Sequence, residues 1–284
     1  MKKLAERLLM FIIGVPVVVG VIVLLPQKNH LALNIIVIIF SALGAIEFAE
    51  ILKRKNLLIK PKEAALLGSA CPLAMTLSVS FNFAEQLVYV FFLLGASWVI
   101  ISVIFVKEEA LKNAVSRVSA GFAVMVYPGL FMMWIIRMNG LPNSEMIVLM
   151  FLLIVFANDS AAWAFGLLFG KGNRGVILVS PNKSVAGFIG GIGFSTVLGL
   201  ITVYLVPDGF TSHKISPPLA GVILGFLSAV AATLGDLGES ALKRSSDMKD
   251  SGTLIPGRGG VLDSIDSLIL AAPVYYVSYR LLFV

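Results

Sequence analysis

An all-α polytopic membrane protein is the fold class this sequence predicts, and three observations predict it. Of its 284 residues, 58% are hydrophobic and only 13% are charged, about half the charge of an ordinary soluble domain. The mean hydropathy is +0.96. The apolar residues also gather into runs of roughly 20, the length an α-helix needs to cross about 30 Å of hydrocarbon while bonding its own backbone groups. This composition excludes a water-soluble globule, a disordered chain and, with Cys71 as the sole cysteine, a disulfide-stapled scaffold. No nucleic acid is expected as a partner, because the excess of 22 Lys and Arg over 16 Asp and Glu is scattered between apolar runs rather than gathered on one face.

Nine runs read as transmembrane helices, near residues 8–25, 31–51, 64–80, 86–106, 118–136, 146–170, 185–206, 218–241 and 264–283. The first is expected to remain as a span, since no small-residue cleavage site follows Val23-Leu24-Leu25-Pro26 and further spans come after it. Placing the N-terminus in the cytoplasm leaves only Lys28, Arg137, Lys214 and Arg280 on the outer face and puts the other eighteen of the 22 basic residues inside. Cytoplasmic loops collect Lys and Arg, so this split supports both the orientation and the odd number of spans. The loops at 171–184 and 242–262 then face the cytoplasm, where nucleotides and magnesium are available. Residues 1–140 form an N-terminal transmembrane region without a motif, and 141–284 a C-terminal transmembrane catalytic region.

Carboxylates are costly within lipid, so their positions are informative. Six of the sixteen acids, Asp236, Glu239, Asp247, Asp250, Asp263 and Asp266, fall within 31 residues of chain. If the eighth helix runs through residue 244, Asp236, Glu239, Ser240 and Lys243 share one face, being three, four and seven residues apart. Asp263 and Asp266 share a face at the start of the ninth helix. Between them lies a basic, glycine-rich connector, Lys249-Asp250-Ser251-Gly252 through Pro256-Gly257-Arg258-Gly259-Gly260, whose glycines would let backbone approach a ligand. Carboxylates from two helix ends could hold a divalent cation, with substrate phosphates completing an all-oxygen shell of the kind Mg²⁺ prefers.

The remaining polar features are weaker. Asp159 interrupts the sixth run, either as a helix-helix hydrogen bond or as part of the site. Glu47 and Glu50, just before Lys53 and Arg54, read as interfacial acids that snorkel or pair. Gly187, Gly190, Gly191 and Gly193, like Ala162, Gly166 and Gly170, suit close helix packing. His30 and His213 both fall on the outer face, so no histidine is expected as a base. Cys71 is expected to be inert packing.

The stretch Gly235-Asp236-Leu237-Gly238-Glu239-Ser240-Ala241-Leu242-Lys243-Arg244 is followed in order by Lys249-Asp250-Ser251-Gly252, Leu254-Ile255-Pro256-Gly257, Gly259-Gly260 and Leu262-Asp263-Ser264-Ile265-Asp266. Together they resemble the motif of phosphatidate cytidylyltransferases, also called CDP-diacylglycerol synthases. Asn158-Asp159-Ser160-Ala161-Ala162-Trp163, Gly166, Gly170 and Ser180-Pro181-Asn182-Lys183-Ser184 resemble that family's other block. Three positions depart from the pattern: Arg258 stands in place of His, Ser264 in place of Arg, and Ala186 in place of Glu.

The resemblance implies a membrane nucleotidyltransferase of phospholipid biosynthesis, in the bacterial inner membrane, that converts CTP and phosphatidate to CDP-diacylglycerol and pyrophosphate at the cytoplasmic side. By that resemblance Asp236, Lys243, Asp263 and Asp266 are the expected catalytic residues. Asp236 and Asp263 are the leading Mg²⁺ ligands, with Glu239 and Asp266 beside them or on a second cation such as K⁺. Ser180, Lys183, Arg244, Lys249, Arg258, Gly259 and Gly260 would hold the triphosphate or the lipid phosphate. Asp159 would close the cavity or orient a lysine. CTP, phosphatidate and membrane lipid are the expected partners, and a homodimer is compatible with the sequence. Two other readings stay open. A homologue weakened by the three departures would bind lipid or nucleotide, or use another lipid phosphate. An ion or solute transporter would also use intramembrane acids, although no internal repeat is visible.

Overall fold

A computed structural model describes residues 2–212 and 214–284, and omits the side chains of residues 2–11 and of Glu109. His213 and the side chains of Lys2, Lys3 and Arg7 therefore lie outside the described residues. The described residues form α1 (Lys2–Leu24), α2 (Gln27–Lys53), α3 (Pro61–Phe81), α4 (Leu87–Ile101), the short α5 (Glu108–Leu111), α6 (Ala114–Val124), a π-helical turn (Met125–Leu130), α7 (Met133–Met138), α8 (Ser144–Phe169), α9 (Val185–Leu205), a 3₁₀ turn (Pro207–Gly209), α10 (Pro217–Ser245) and α11 (Leu262–Phe283). Among the described residues, extended pairing is limited to isolated bridges at Arg174 with Ser184 and Ile255 with Gly259.

Each of the nine apolar runs overlaps a helix, although the fourth, expected over 86–106, is helical only over Leu87–Ile101. Among the described residues, six helical stretches are long and apolar enough to cross a membrane by length and composition: α2, α3, Ala114–Met138, α8, α9 and α10. α4 and the Ile12–Leu24 part of α1 are apolar but shorter. α11, which carries Asp263, Asp266 and Arg280, is not among the six.

The fifth run is not the unbroken helix expected over 118–136. Pro128 has no backbone N–H to donate, and the ladder widens to a π turn in which the Phe131 N–H reaches the Val126 carbonyl at 3.1 Å. Lys28, Asn29 and His30 are left-handed, with φ of 52°, 53° and 57°, so the right-handed part of α2 starts at Leu31, where the apolar run starts.

The chain divides into two compact units. The first comprises residues 1–140 and 245–265; the second comprises 141–244 and 266–284. In the first, α2 packs along α3, and the Ser41 hydroxyl reaches the carbonyls of Gly68, at 2.8 Å, and of Pro128, tying α2 to α3 and to the π turn.

In the second unit small residues bring backbones together, as packing without a hydrophobic driving force requires. A Cβ at Gly187 would stand 2.7 Å from the Ala162 carbonyl, and one at Gly191 would stand 2.8 Å from that of Asn158, so α8 and α9 meet closely. Gly199, Gly221 and Gly225 do the same between α9 and α10. Gly193 differs from its expected packing role: no atom lies within 4 Å of its would-be Cβ. The Tyr275 hydroxyl donates to the Ile147 carbonyl at 3.0 Å and that of Tyr279 to the Gly209 carbonyl at 2.6 Å, which holds α11 in this unit.

The two kinds of glycine make opposite predictions for thermal unfolding in detergent. Gly225→Ala places a methyl against the Ser195 carbonyl and is expected to destabilise by about 1 to 3 kcal/mol. Gly193→Ala meets nothing and is expected to stabilise by roughly 0.5 to 1 kcal/mol, through the lower backbone entropy of alanine in the unfolded chain.

Candidate active site

The site-bearing part of the second unit starts at the loop before α9. Ser184 has extended dihedrals (φ −116°, ψ 151°), and its Oγ accepts the Gly187 N–H at 3.1 Å, a helix N-cap. A backbone bond from Val185 N–H to the Asn173 carbonyl at 3.1 Å closes the loop. Lys183, the residue before the cap, is thus placed by the helix start. Its ammonium is ion-paired with Asp236 of α10, the two side chains being 32% and 24% exposed. Burial lowers the Lys183 pKa from its ordinary value of 10.5, and the carboxylates of Asp159 and Asp266 oppose that shift.

α10 continues through Ser245, so Asp236, Glu239, Ser240 and Lys243 do share a face. Glu239 is fully buried, and its Oε2 lies 2.6 Å from the Lys243 Nζ. The Ser267 hydroxyl of α11 lies 3.3 Å from Asp159 Oδ2 and 3.2 Å from Asp266 Oδ1. Asp159 therefore does make a contact between helices, and it also acts electrostatically on Lys183. The outcome is a cluster of four carboxylates, Asp159, Asp236, Glu239 and Asp266, with two ammonium groups, Lys183 and Lys243.

The connector and first turn of α11 belong to the first unit. Asp263 Oδ2 accepts the N–H groups of Ser251 at 2.8 Å and Gly260 at 2.7 Å, and the Ser251 hydroxyl lies 2.9 Å from the same oxygen. Lys249 and Arg258 are exposed, as is Arg244 at the end of α10 in the second unit, and Ser180 is half-buried in its loop. Gly257 and Gly259 take positive φ, 75° and 115°, which an L side chain rarely adopts. Of the three departures, the Ser264 hydroxyl turns back to the Gly260 carbonyl at 3.2 Å, Arg258 stands at an exposed turn, and Ala186 lines an apolar groove of about 580 Å³ with Phe165, Phe169 and Phe194.

Glu47 overturns its reading as an interfacial acid. It is only 6% exposed. Its carboxylate accepts the backbone N–H groups of Val261 at 2.9 Å and Leu262 at 2.8 Å and the Ser251 hydroxyl at 2.8 Å. Glu50, in contrast, pairs with Lys53 at 3.4 Å as expected. Ser267 and Glu47 are the polar partners that sequence reasoning missed. A glutamate one turn before Glu50, still inside the α2 run, was the one available signal, and the Glu50-Lys53 pair masked it.

Among the described residues, no group of three or more His, Cys, Asp or Glu side chains is placed to hold a metal ion. The donors that do gather are carboxylate oxygens. They suit a hard cation that takes one or two protein ligands and fills its shell with water or phosphate, as Mg²⁺ does.

Helices able to cross a membrane, with acids and lysines paired among them in the second unit and a glycine-rich connector wrapped on carboxylates in the first, define a helical membrane protein with polar groups buried in each unit. The chain belongs to the cytidylyltransferase family, whose model matches residues 5–282. It is 34% identical over 167 residues to a phosphatidate cytidylyltransferase of Staphylococcus saprophyticus and 36% identical over 167 residues to one of Staphylococcus aureus, covering 57% of this chain in each case. It is 33% identical over 135 residues to the enzyme of that name from Synechocystis sp., covering 48% of this chain and 43% of that protein. The matched stretch spans 60% of the length of the staphylococcal relatives.

Lys243→Met is expected to strand the buried Glu239 carboxylate and destabilise the protein by about 3 to 5 kcal/mol, as judged by thermal unfolding. Glu239→Gln combined with Lys243→Met removes both charges and is expected to restore most of that loss.

Proposed function

We propose that this chain is an integral membrane phosphatidate cytidylyltransferase, which joins CTP and phosphatidate to give CDP-diacylglycerol and pyrophosphate. Membership of the family and the names of the relatives support the reaction. The observation that carries it is the Lys183–Asp236 ion pair beside Asp159, Glu239, Asp266 and Lys243, a cluster suited to phosphate and a divalent cation. The whole-chain family match does not favour the transporter reading. The topology proposed with it has nine spans, a cytoplasmic N-terminus and a site at the cytoplasmic face of a bacterial inner membrane, as the basic-residue asymmetry indicates. A homodimer is the assembly we propose to test alongside it.

A phosphate monoester is already nucleophilic near neutral pH. An oxygen of the phosphatidate phosphate forms the new bond to the α-phosphorus of CTP, and the bond from that phosphorus to the bridging oxygen breaks as pyrophosphate leaves. The protein must align the two phosphates and neutralise charge, and no histidine is needed for that work. Lys183 and Lys243, held against Asp236 and Glu239, supply ammonium groups that phosphate oxygens can take over. Mg²⁺, bound through Asp236, Asp263, Asp266 or Glu239, would supply charge neutralisation on the triphosphate, and K⁺ is the proposed second cation. Ser180, Arg244, Lys249 and Arg258 are proposed to hold the outer phosphates, and Gly259 and Gly260 to give them backbone access.

The test is release of pyrophosphate from CTP in detergent or liposomes, dependent on both phosphatidate and Mg²⁺. Asp263→Ala is expected to lower kcat on the order of 100-fold or more. A folded parent without turnover, or an Asp263→Ala protein equal to the parent, would overturn the assignment.

A pH profile tests Lys183 separately. Its ammonium is needed to bind phosphate, and burial lowers its pKa, so activity is expected to fall as pH rises at a lower pH than an ordinary lysine would give. Lys183→Arg, whose guanidinium stays charged, is expected to move that alkaline limb upward.

A further inference from the structure

The start of α11 lacks a cap of its own. Val261 precedes the first helical residue, Leu262, and offers no side-chain oxygen to the unsatisfied N–H groups that every helix start carries. Those groups are served from more than 200 residues away: Glu47 of α2 takes the Val261 N–H on Oε1 at 2.9 Å and the Leu262 N–H on Oε2 at 2.8 Å. A carboxylate at this end is also favoured by the helix dipole.

The same carboxylate reaches Asp263 through one intermediary. The Ser251 Oγ lies 2.8 Å from Glu47 Oε2 and 2.9 Å from Asp263 Oδ2. A hydroxyl has a single proton to donate, so it serves one carboxylate at a time while lying between both. The backbone donors to Asp263 Oδ2, Ser251 N–H and Gly260 N–H, come from the segment that Glu47 holds.

The glycines of the connector fit this internal role. A Cβ at Gly252 would stand 2.5 Å from Glu47 Oε1, one at Gly260 would collide with Glu47 Oε2 and the Ser251 hydroxyl, and one at Gly259 would stand 2.6 Å from Asp263 Oδ2. Three of the connector's glycines thus make room for two carboxylates of the protein itself.

We propose that Glu47 is a positioning residue for Asp263. It holds residues 251 and 260–262 against the start of α11, and so fixes the Asp263 carboxylate in the orientation from which it acts on the cation. The inference rests on the cytidylyltransferase reading for its catalytic consequence and on geometry alone for its structural one.

The experiment uses full-length protein in detergent and compares the parent with Glu47→Gln, Glu47→Asp and Ser251→Ala. An amide at position 47 keeps the size but turns N–H donors towards the N–H groups of Val261 and Leu262. Glu47→Gln is expected to raise the Mg²⁺ concentration for half-maximal activity about 10-fold and to lower kcat by a similar factor, the range typical for partners that orient a metal ligand. The phosphatidate KM is expected to stay near that of the parent. Amide exchange at residues 251 and 260–263, followed by mass spectrometry, is expected to speed up about 10-fold. Glu47→Asp, which keeps the charge one methylene further back, is expected to recover part of both effects, which a side chain acting only as packing would not do. If Glu47→Gln does not fold, Ser251→Ala decides the matter: it removes the hydroxyl that lies between the two carboxylates and accepts the Asp263 N–H at 3.3 Å, and it is expected to raise the Mg²⁺ requirement in the same direction. Mg²⁺ dependence and exchange unchanged in the folded variants would overturn the proposal. A parent without cytidylyltransferase activity would overturn the functional reading, while exchange at 260–263 would still decide the role of Glu47.

Discussion

A carboxylate among apolar helices that stays charged has to be matched by donors or by an opposite charge, because burying it alone costs several kcal/mol, a large part of a fold's net stability. This chain meets that constraint in two ways. In the second unit, Asp236 and Glu239 are matched by the ammonium groups of Lys183 and Lys243. In the first, Glu47 and Asp263 are matched by backbone N–H groups and one hydroxyl. Acids elsewhere follow the first pattern, Glu63 with Arg117 at 2.8 Å and Glu85 with Arg137 at 2.6 Å.

The two solutions differ in what they allow. A lysine on a four-carbon stem can leave its carboxylate when a phosphate or cation arrives, so the Lys183 and Lys243 pairs are suited to exchange. Backbone donors cannot move without moving the chain, so a carboxylate held by them keeps its direction. The proposed chemistry needs both behaviours: mobile positive charge for a substrate that enters and leaves, and a fixed acid for the ion that must be presented the same way each turnover.

The helices serve these groups through their ends. Ser184 caps α9 and so places Lys183, and α10 runs through Ser245 and so carries Asp236, Glu239 and Lys243 on one face. Small residues do the remaining work. Gly187 and Gly191 bring α9 onto α8, and Gly225 brings α10 onto α9, at distances that any side chain would forbid. In the connector, Gly252, Gly259 and Gly260 leave space for the carboxylates of Glu47 and Asp263 rather than for a ligand alone.

Hydropathy and helical spacing are local properties, and what depends on them was legible in the residues. The all-helical class, the overlap of each apolar run with a helix, the shared face of Asp236, Glu239 and Lys243, and most of the packing glycines of α8 and α9 follow from neighbours within a few turns. The π turn at Pro128 was within reach of the same reasoning, since a missing N–H is a local fact. The pairing of Lys183 with Asp236, the hydroxyl of Ser267 beside Asp159, and above all the reach of Glu47 to the start of α11 were not legible. Each joins residues far apart in the chain, in the last case by more than 200 positions. Which acid meets which donor across such separations is decided when helices pack, because only then does the cost of an unmatched charge select one partner from many.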